Sequence, residues 1–463
     1  MPLLLLNHQL GYAAPPSNTA ILPIRTRKLL DPVYGTSHDA DVPLRVELTR
    51  SILKTGYKSP RAIFPAAFVL KNTNKSGKET NVNRMNAVAG VTAAMLAAGW
   101  SNAAEAQSVV LYGIVDTGIE YLHGANAAGN SVVRTPSITG EIPSRWGVTG
   151  SEPLGSDYKA IFTLESGFQA GTGGLNQGGR LFGRQAFVGI DAPFGTLTFG
   201  RQYSMVLWAL WSADLLGPDI YGSGTVDVWV ANPRVDNTIA YRKSFNGLSI
   251  GATYSFGRDA SPPGGFNTPG EGTCAGNVPG NANACREWSL MLKYDAGSWG
   301  TAAAYDRQQG GPGSAVNMFN GLTPLAFANS SSKDSRLFLN GYIKFGKLTV
   351  AALWTNRRVD SGSMTLPTVS SNQYTLEAQY QATPSLTLDS MVQRIVNGEQ
   401  DTRANMEVLR ATYMLSVRTA VYAQIAALQN SANAAYTVSA SIGSTPGKGM
   451  TQVGGIVGIR HSF

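Results

Sequence analysis

The residue types that most often carry catalytic or metal chemistry are scarce in most of this chain. From residue 107 to the end there are two histidines, His123 and His461, and two cysteines, Cys274 and Cys285. Neither histidine belongs to a metal-ligand spacing, and no Gly-rich phosphate loop occurs. We therefore expect no catalytic residues, no metal and no cofactor.

The two cysteines favour a disulfide over a metal site. They lie in the Gly-, Pro- and Asn-rich segment CAGNVPGNANAC, with no further histidine or cysteine nearby to complete a ligand set. In an oxidising compartment, two cysteines this close in the chain form a bond. Cys274 and Cys285 are therefore predicted to be bridged within a loop.

The formal net charge of +8 comes mainly from the N-terminal end. Residues 1–106 hold 12 Lys and Arg against 6 Asp and Glu, which leaves 25 basic and 23 acidic residues in the rest of the chain. A nucleic-acid-binding protein would carry its basic excess on the folded body. No nucleic-acid partner is expected.

The same N-terminal region carries an export signal. Basic residues at 75, 78 and 84 precede an apolar stretch from 87 to 99, and small residues stand at 104 and 106. This order is typical of a signal peptide over 85–106 with a mature start at Gln107; a buried Ala-rich helix is the alternative. Residues 1–84 lack sustained periodicity and are interpreted as a mis-annotated N-terminal extension. Residues 107–463 then form one domain.

That domain alternates apolar and polar residues with period two. In SVVLYGIVDTGIEYL, Val109, Leu111 and Ile119 share one parity, while Asp116 and Glu120 share the other. Such a strand presents one face to lipid and the other to water. The predicted strands are 108–122, 142–151, 157–168, 181–191, 195–203, 235–244, 246–257, 286–295, 297–307, 334–345, 347–358, 371–382, 384–397, 402–416, 417–429 and 451–463.

The connections between these strands alternate in length. Short turns such as DAPFG (191–195) and FNG (245–247) alternate with long polar loops, of which the third, residues 203–233, is the longest. After residue 106 no apolar run is long enough for a membrane helix. The mean hydropathy of the whole chain is -0.07. The prediction is all-β: a transmembrane antiparallel β-barrel of about 16 strands around an aqueous lumen.

Several segments resemble the general-porin family of Gram-negative β-proteobacteria. They are LYGIVDTGIEYL, SRWGVTGSEPLG, KAIFTLESGF, GRLFGRQAFVGIDAPFGTLTFGRQY, RVDNTIAYR and VGIRHSF. The resemblance covers nearly all of residues 108–463 and implies an outer-membrane porin, a homotrimer of sixteen-stranded barrels. The terminal Phe463 resembles the aromatic sorting signal of such barrels.

The resemblance also indicates a pore constriction. The family's wall arginines match Arg145, Arg184 and Arg234, and alternation independently places Arg145 on the lumen face because Trp146 and Val148 take the opposite parity. The third long loop is predicted to fold inward with Asp214, Asp219 and Asp227. Asp116 and Glu120 are predicted on the lumen face of the first strand. Each of these residues could instead be an ordinary solvated lumen charge.

The function expected is passive diffusion of small hydrophilic solutes and ions across the outer membrane, with membrane lipid around the barrel. One alternative is a barrel enzyme, for which His461 would be the residue to test. Another is a substrate-specific channel or an adhesin-like barrel, since Trp208, Trp211 and Trp229 could form an aromatic ladder for sugars. Packing of the third loop against the barrel wall is the preferred interpretation of these tryptophans.

Overall fold

The computed structural model of the chain describes residues 108–227, 234–258, 274–362 and 367–463. The extension predicted over 1–84 and the signal peptide predicted over 85–106 lie outside the described residues. Within the described residues, no helix is long and apolar enough to cross a membrane.

The described residues form a closed, sixteen-stranded antiparallel β-barrel, which confirms the predicted fold. Three further strands are short and lie in loops: β2 (Val132–Arg134), β11 (Ala315–Val316) and β12 (Leu325–Ala326). The barrel strands are β1 (Ser108–His123), β3 (Arg145–Gly155), β4 (Tyr158–Gly167), β5 (Gln185–Ala192), β6 (Gly195–Tyr203), β7 (Arg234–Phe245), β8 (Leu248–Ser255), β9 (Glu287–Asp295), β10 (Trp299–Gln309), β13 (Lys333–Phe345), β14 (Leu348–Asp360), β15 (Val369–Gln381), β16 (Leu386–Asn397), β17 (Thr402–Met414), β18 (Thr419–Asn430) and β19 (Thr451–Ser462).

Strand β1 closes the barrel because it is paired on both edges. Its first half pairs with β3, from Ser108 opposite Ser151 to Ile114 opposite Arg145. Its second half pairs with β19, from Ile114 opposite Ser462 to His123 opposite Val453. Closure leaves no free sheet edge, which a lipid environment requires.

The alternation in the sequence becomes two different surfaces of the barrel wall. Along β1, Val109, Leu111 and Ile119 are exposed on the outer face, whereas Asp116 and Glu120 are buried on the inner face. The same division recurs on β15, where Tyr374 and Leu376 are exposed and Glu377 is buried. The outer surface is therefore apolar and the inner surface is polar, as predicted.

A short turn shows how local sequence fixes the strand register. Between β7 and β8, Asn246 and Gly247 both adopt positive φ, at 48° and 82°. A two-residue hairpin turn of type I′ requires positive φ at both central positions, and Asn-Gly satisfies that requirement at low cost. The turn sets Phe245 opposite Leu248.

Some strand ends differ from those predicted. The strand predicted over 181–191 begins at Gln185, because residues 181–184 belong to the preceding loop. The strand predicted over 142–151 runs instead from Arg145 to Gly155, and its pairing with β4 is irregular between Pro153 and Gly155. Period-two alternation cannot detect such an irregularity, because one shifted residue inverts the pattern.

The last residue is held against the first strand. The backbone N–H of Phe463 donates to the Gly113 carbonyl at 3.0 Å, and Gly113 donates back to Phe463 at 3.2 Å. The Phe463 ring covers Gly113, whose lack of a side chain leaves room for it. The C-terminal aromatic residue is thus part of the barrel seam.

Cys274 and Cys285 are bonded to each other in the structure, with their Cα atoms 5.1 Å apart. Both residues are buried and belong to the segment that joins β8 to β9. We predict that thiol labelling of denatured, unreduced protein isolated from the outer membrane will modify neither residue, and that reduction will expose both. Stoichiometric labelling without reductant would show that the loop carries free thiols.

Candidate functional site

The segment between β6 and β7 begins with an apolar helix. Helix α1 (Met205–Leu210) has the sequence MVLWAL, and all of its residues except Trp208 are buried. It packs against inner-face residues that are apolar or small, unlike most of the inner face. These wall residues are Ala240, Met291, Ala302, Ala304, Phe338, Tyr342, Ala351 and Leu353. Burial of both apolar surfaces holds the segment against the wall.

Beyond the helix, the segment is fixed by hydrogen bonds to charged wall residues. The backbone N–H groups of Leu215 and Leu216 both donate to the Glu377 carboxylate of β15. On β17, the Arg410 guanidinium donates to the Leu216 carbonyl at 2.9 Å and to the Leu215 carbonyl at 3.3 Å. Charged side chains of the wall therefore form the hydrogen bonds that the backbone N–H and C=O groups of this irregular segment require.

The loop carboxylates are paired with wall arginines that the sequence analysis did not single out. Asp219 accepts from Arg410 at 3.1 Å. Asp227 accepts from Arg357 of β14 at 3.0 Å and from the Ser371 hydroxyl at 2.6 Å. Arg357 also pairs with Asp334 at 2.8 Å. Opposite charges thus face one another across the contact between loop and wall.

Burial makes two loop carboxyls weaker acids. It raises the pKa of Asp214 to about 6, although hydrogen bonds from Gly217 and Ser223 oppose the shift. It raises the pKa of Asp219 to about 7, and there the charge of Arg410 opposes it. The loop therefore loses negative charge as the pH falls through this range.

A second charged group surrounds Glu165 of β4. Arg184 donates to Glu165 at 2.6 Å and to the Tyr203 hydroxyl at 3.0 Å. The Arg234 guanidinium lies 5.1 Å from the centre of the Tyr203 ring, and the charges of Arg145 and Arg234 both act on Glu165. The structure thus brings together the three arginines named from the sequence, around a single carboxylate.

The two acids of β1 are buried among partners from loops and neighbouring strands. Asp116 accepts from the backbone N–H groups of Glu141 and Ile142 and from the Tyr422 hydroxyl at 2.6 Å. Glu120 pairs with Arg134 at 2.7 Å. Both side chains hold the loop between β1 and β3 against the wall.

The histidines and tryptophans considered from the sequence make other contacts. His123 and His461 each contact a hydroxyl, on Ser131 and Thr419. Trp208 and Trp211 stack on each other with their ring centres 5.0 Å apart. Trp229 lies outside the described residues.

Sequence reasoning did not single out Glu165, Arg357 and Arg410. A signal for Arg410 was available, because its neighbours Leu409 and Ala411 take the outer parity. Arg357 was ambiguous because Arg358 follows it directly. Glu165 lies within KAIFTLESGF, a segment quoted only for its resemblance to porins.

A closed sixteen-stranded barrel with an apolar outer face and a charged inner face defines a class of protein: the transmembrane β-barrel channels. A family model described as Gram-negative porin matches residues 90–433. The chain therefore belongs to the Gram-negative porin family, the channel-forming outer-membrane β-barrels, rather than to a family of enzymes.

Relatives agree with this assignment. An outer-membrane porin of Bordetella pertussis is 37% identical over 232 residues, which are 46% of this chain and 58% of that protein. Outer membrane porin protein 32 of Delftia acidovorans is 29% identical over 392 residues, 81% of this chain and 99% of that protein. An anion-selective porin from Comamonas acidovorans has a similar structure, with a TM-score of 0.63, 24% identity and coverage of 77% of this chain and 100% of that one.

Proposed function

We propose that the barrel lets small hydrophilic solutes and ions diffuse passively across the outer membrane, and that residues 203–233 fold into the lumen as its constriction. The observation that carries this proposal is the bonding of loop residues 215, 216, 219 and 227 to inner-face side chains of three strands. A sixteen-stranded barrel is too wide to exclude larger solutes without such an element.

The constriction has opposed charges. Arg145, Arg184 and Arg234 lie around Glu165 on one part of the wall, and the loop contributes Asp214, Asp219 and Asp227. A transverse field of this kind selects ions by sign and hardly slows small neutral solutes. Asp219 and Asp227 are paired with Arg410 and Arg357, whereas three arginines surround Glu165, and this local excess of positive charge favours anions. The similar Comamonas barrel is described as anion-selective.

Liposome swelling tests the diffusion proposal. Vesicles containing the purified protein are expected to swell in neutral sugars at rates that fall with solute size, and sugars of equal size should enter at equal rates. Vesicles with heat-denatured protein are the control. No swelling would contradict a diffusion channel, and strongly unequal rates for sugars of equal size would favour a substrate-specific channel.

We also propose that the functional unit is a homotrimer. Support comes from the family resemblance of the sequence. Unheated protein should migrate on a gel as a band near three times the monomer mass and shift to the monomer position on heating. A monomer in mild detergent would contradict this assembly.

A further inference from the structure

Helix α1 has one face that the wall covers only in part. Trp208 and, one helical turn later, Trp211 are only partly buried, although their neighbours Leu207 and Leu210 are fully packed. The two indole rings stack at 5.0 Å with an angle of 24° between their planes. The helix therefore presents a rigid aromatic surface away from its packed side.

A wall arginine lies over this surface. The Cζ atom of Arg242, on β7, lies 3.7 Å from the centre of the Trp208 ring. Gly251 is opposite Arg242 on β8, and its lack of a side chain leaves room there for both Arg242 and Met205. Stacking occupies the flat face of a guanidinium and leaves its in-plane N–H donors available.

Those donors have no acceptor in the described part of the chain. Arg242 is partly exposed as a residue, and no described residue accepts a hydrogen bond from its guanidinium or pairs with it within ion-pair distance. The acid that acts on it electrostatically, Asp191 of β5, accepts a hydrogen bond from the Thr196 hydroxyl at 2.7 Å. Stacking on Trp208 thus holds the Arg242 guanidinium in place without using its N–H donors.

A second cation approaches the same turn. Lys293 of β9 donates to the hydroxyl of Ser212, the residue after Trp211. Arg242 therefore contacts loop residue 208, and Lys293 contacts loop residue 212. The two side chains come from β7 and β9, which are separated in the wall by β8. Two positive side chains flank one aromatic surface.

We propose that Trp208, Trp211, Arg242 and Lys293 form a subsite for small organic carboxylates that carry an apolar body. The planar fork of Arg242 matches a carboxylate in a bidentate arrangement, and the ammonium of Lys293 adds a second charge. The exposed parts of the indole rings receive the apolar body. The subsite rests on the proposed channel function, because solutes reach it through the lumen.

Inhibition of single-channel chloride current tests the subsite with three probes. Benzoate has both the carboxylate and the apolar body, acetate has only the carboxylate, and benzyl alcohol has the ring without the charge. We expect saturable inhibition by benzoate, inhibition several-fold weaker by acetate and none by benzyl alcohol. The substitution R242Q should raise the half-inhibiting benzoate concentration about tenfold.

Two further variants separate this subsite from a general effect of charge. K159Q removes one positive charge from the short-turn end of β4, where Lys159 is exposed and lies opposite Asp191; it should leave benzoate inhibition unchanged. W208L should weaken inhibition by benzoate about threefold, so that benzoate inhibits nearly as weakly as acetate. The substitution removes the ring and the stacking contact that holds Arg242 in place.

Normal chloride current without inhibition by benzoate, or equal inhibition in wild type and R242Q, would overturn the subsite. Calorimetric titration of the detergent-solubilised protein with benzoate measures binding without any current. Binding that R242Q weakens, in a protein that conducts no current, would contradict the channel while supporting the subsite. No binding in a conducting protein would contradict the subsite alone.

Discussion

Replacing Arg410 by alanine is expected to detach the middle of the β6–β7 loop from the barrel wall. Arg410 is buried and pairs with Asp389 at 2.8 Å and Asp219 at 3.1 Å, besides donating to two loop carbonyls. Its removal leaves two buried carboxylates without their cation. Breaking a buried pair in this way costs about 3–5 kcal/mol, because a charge without a partner stays away from water.

Thermal unfolding on gels and single-channel recording measure the two consequences of R410A. The unfolding temperature should fall, and the channel should show higher conductance with more noise in the open state, since residues 215–219 lose their anchor. R403A is the matched control: Arg403 lies on the same strand but is exposed, and its pair with Asp401 at 3.7 Å is worth at most about 1 kcal/mol. Equal behaviour of R410A and R403A would show that Arg410 does not hold the loop.

Simultaneous replacement of Arg145, Arg184 and Arg234 by alanine is expected to move ion selectivity towards cations. Near a protein surface, a unit charge about 4 Å from an ion contributes about 4 kcal/mol at an effective dielectric constant of about 20. Because about 1.4 kcal/mol already corresponds to a factor of ten, loss of three charges should lower the ratio of chloride to potassium permeability by at least about tenfold. The triple variant leaves the buried Glu165 carboxylate without its Arg184 partner, which destabilises the barrel. A fourth substitution, E165Q, removes that unpaired charge, so that selectivity is measured in a stable barrel.

The matched control for the triple variant removes three exposed arginines from the outer parity of the wall: Arg358, Arg394 and Arg403. Its net charge changes equally, but the change is outside the lumen, so the reversal potential should stay near that of the wild type. If the triple lumen variant leaves both reversal potential and conductance unchanged, the constriction is misplaced.

The barrel was predictable because its strands obey one simple rule. Lipid outside and water inside impose alternation on each strand, and β1, β8 and β15 follow it closely. The rule weakens where the environment is mixed. On β17, Asn405 and Glu407 take the outer parity, so the segment alternates poorly although it is a regular strand.

The wall behind α1 departs from the rule in the opposite way. On β10, Ala302 and Ala304 face inward and are buried by the loop helix. From the sequence alone, apolar residues on the inner face of a strand do not show which other segment of the chain covers them. Sequence patterns describe one strand at a time and do not contain that contact.

The candidate site was predictable only in part, for a related reason. The inward orientation of Arg145 was predicted from the apolar residues that alternate with it, Trp146 and Val148. In the structure its charge acts on Glu165 together with those of Arg184 and Arg234. The partners of the loop acids lie 130 and 191 positions away in sequence, at Arg357 and Arg410. Such pairs follow from barrel closure and the path of the loop, which no local pattern specifies.

Planar-bilayer recording of the purified wild-type protein under a potassium chloride gradient tests the central claim most directly. At about pH 8, about one unit above the pKa of Asp219, the carboxyls of Asp214 and Asp219 are ionised. We expect discrete, stable conductance steps and a reversal potential on the anion-selective side. An absence of steps, or a reversal potential on the cation-selective side, would contradict it.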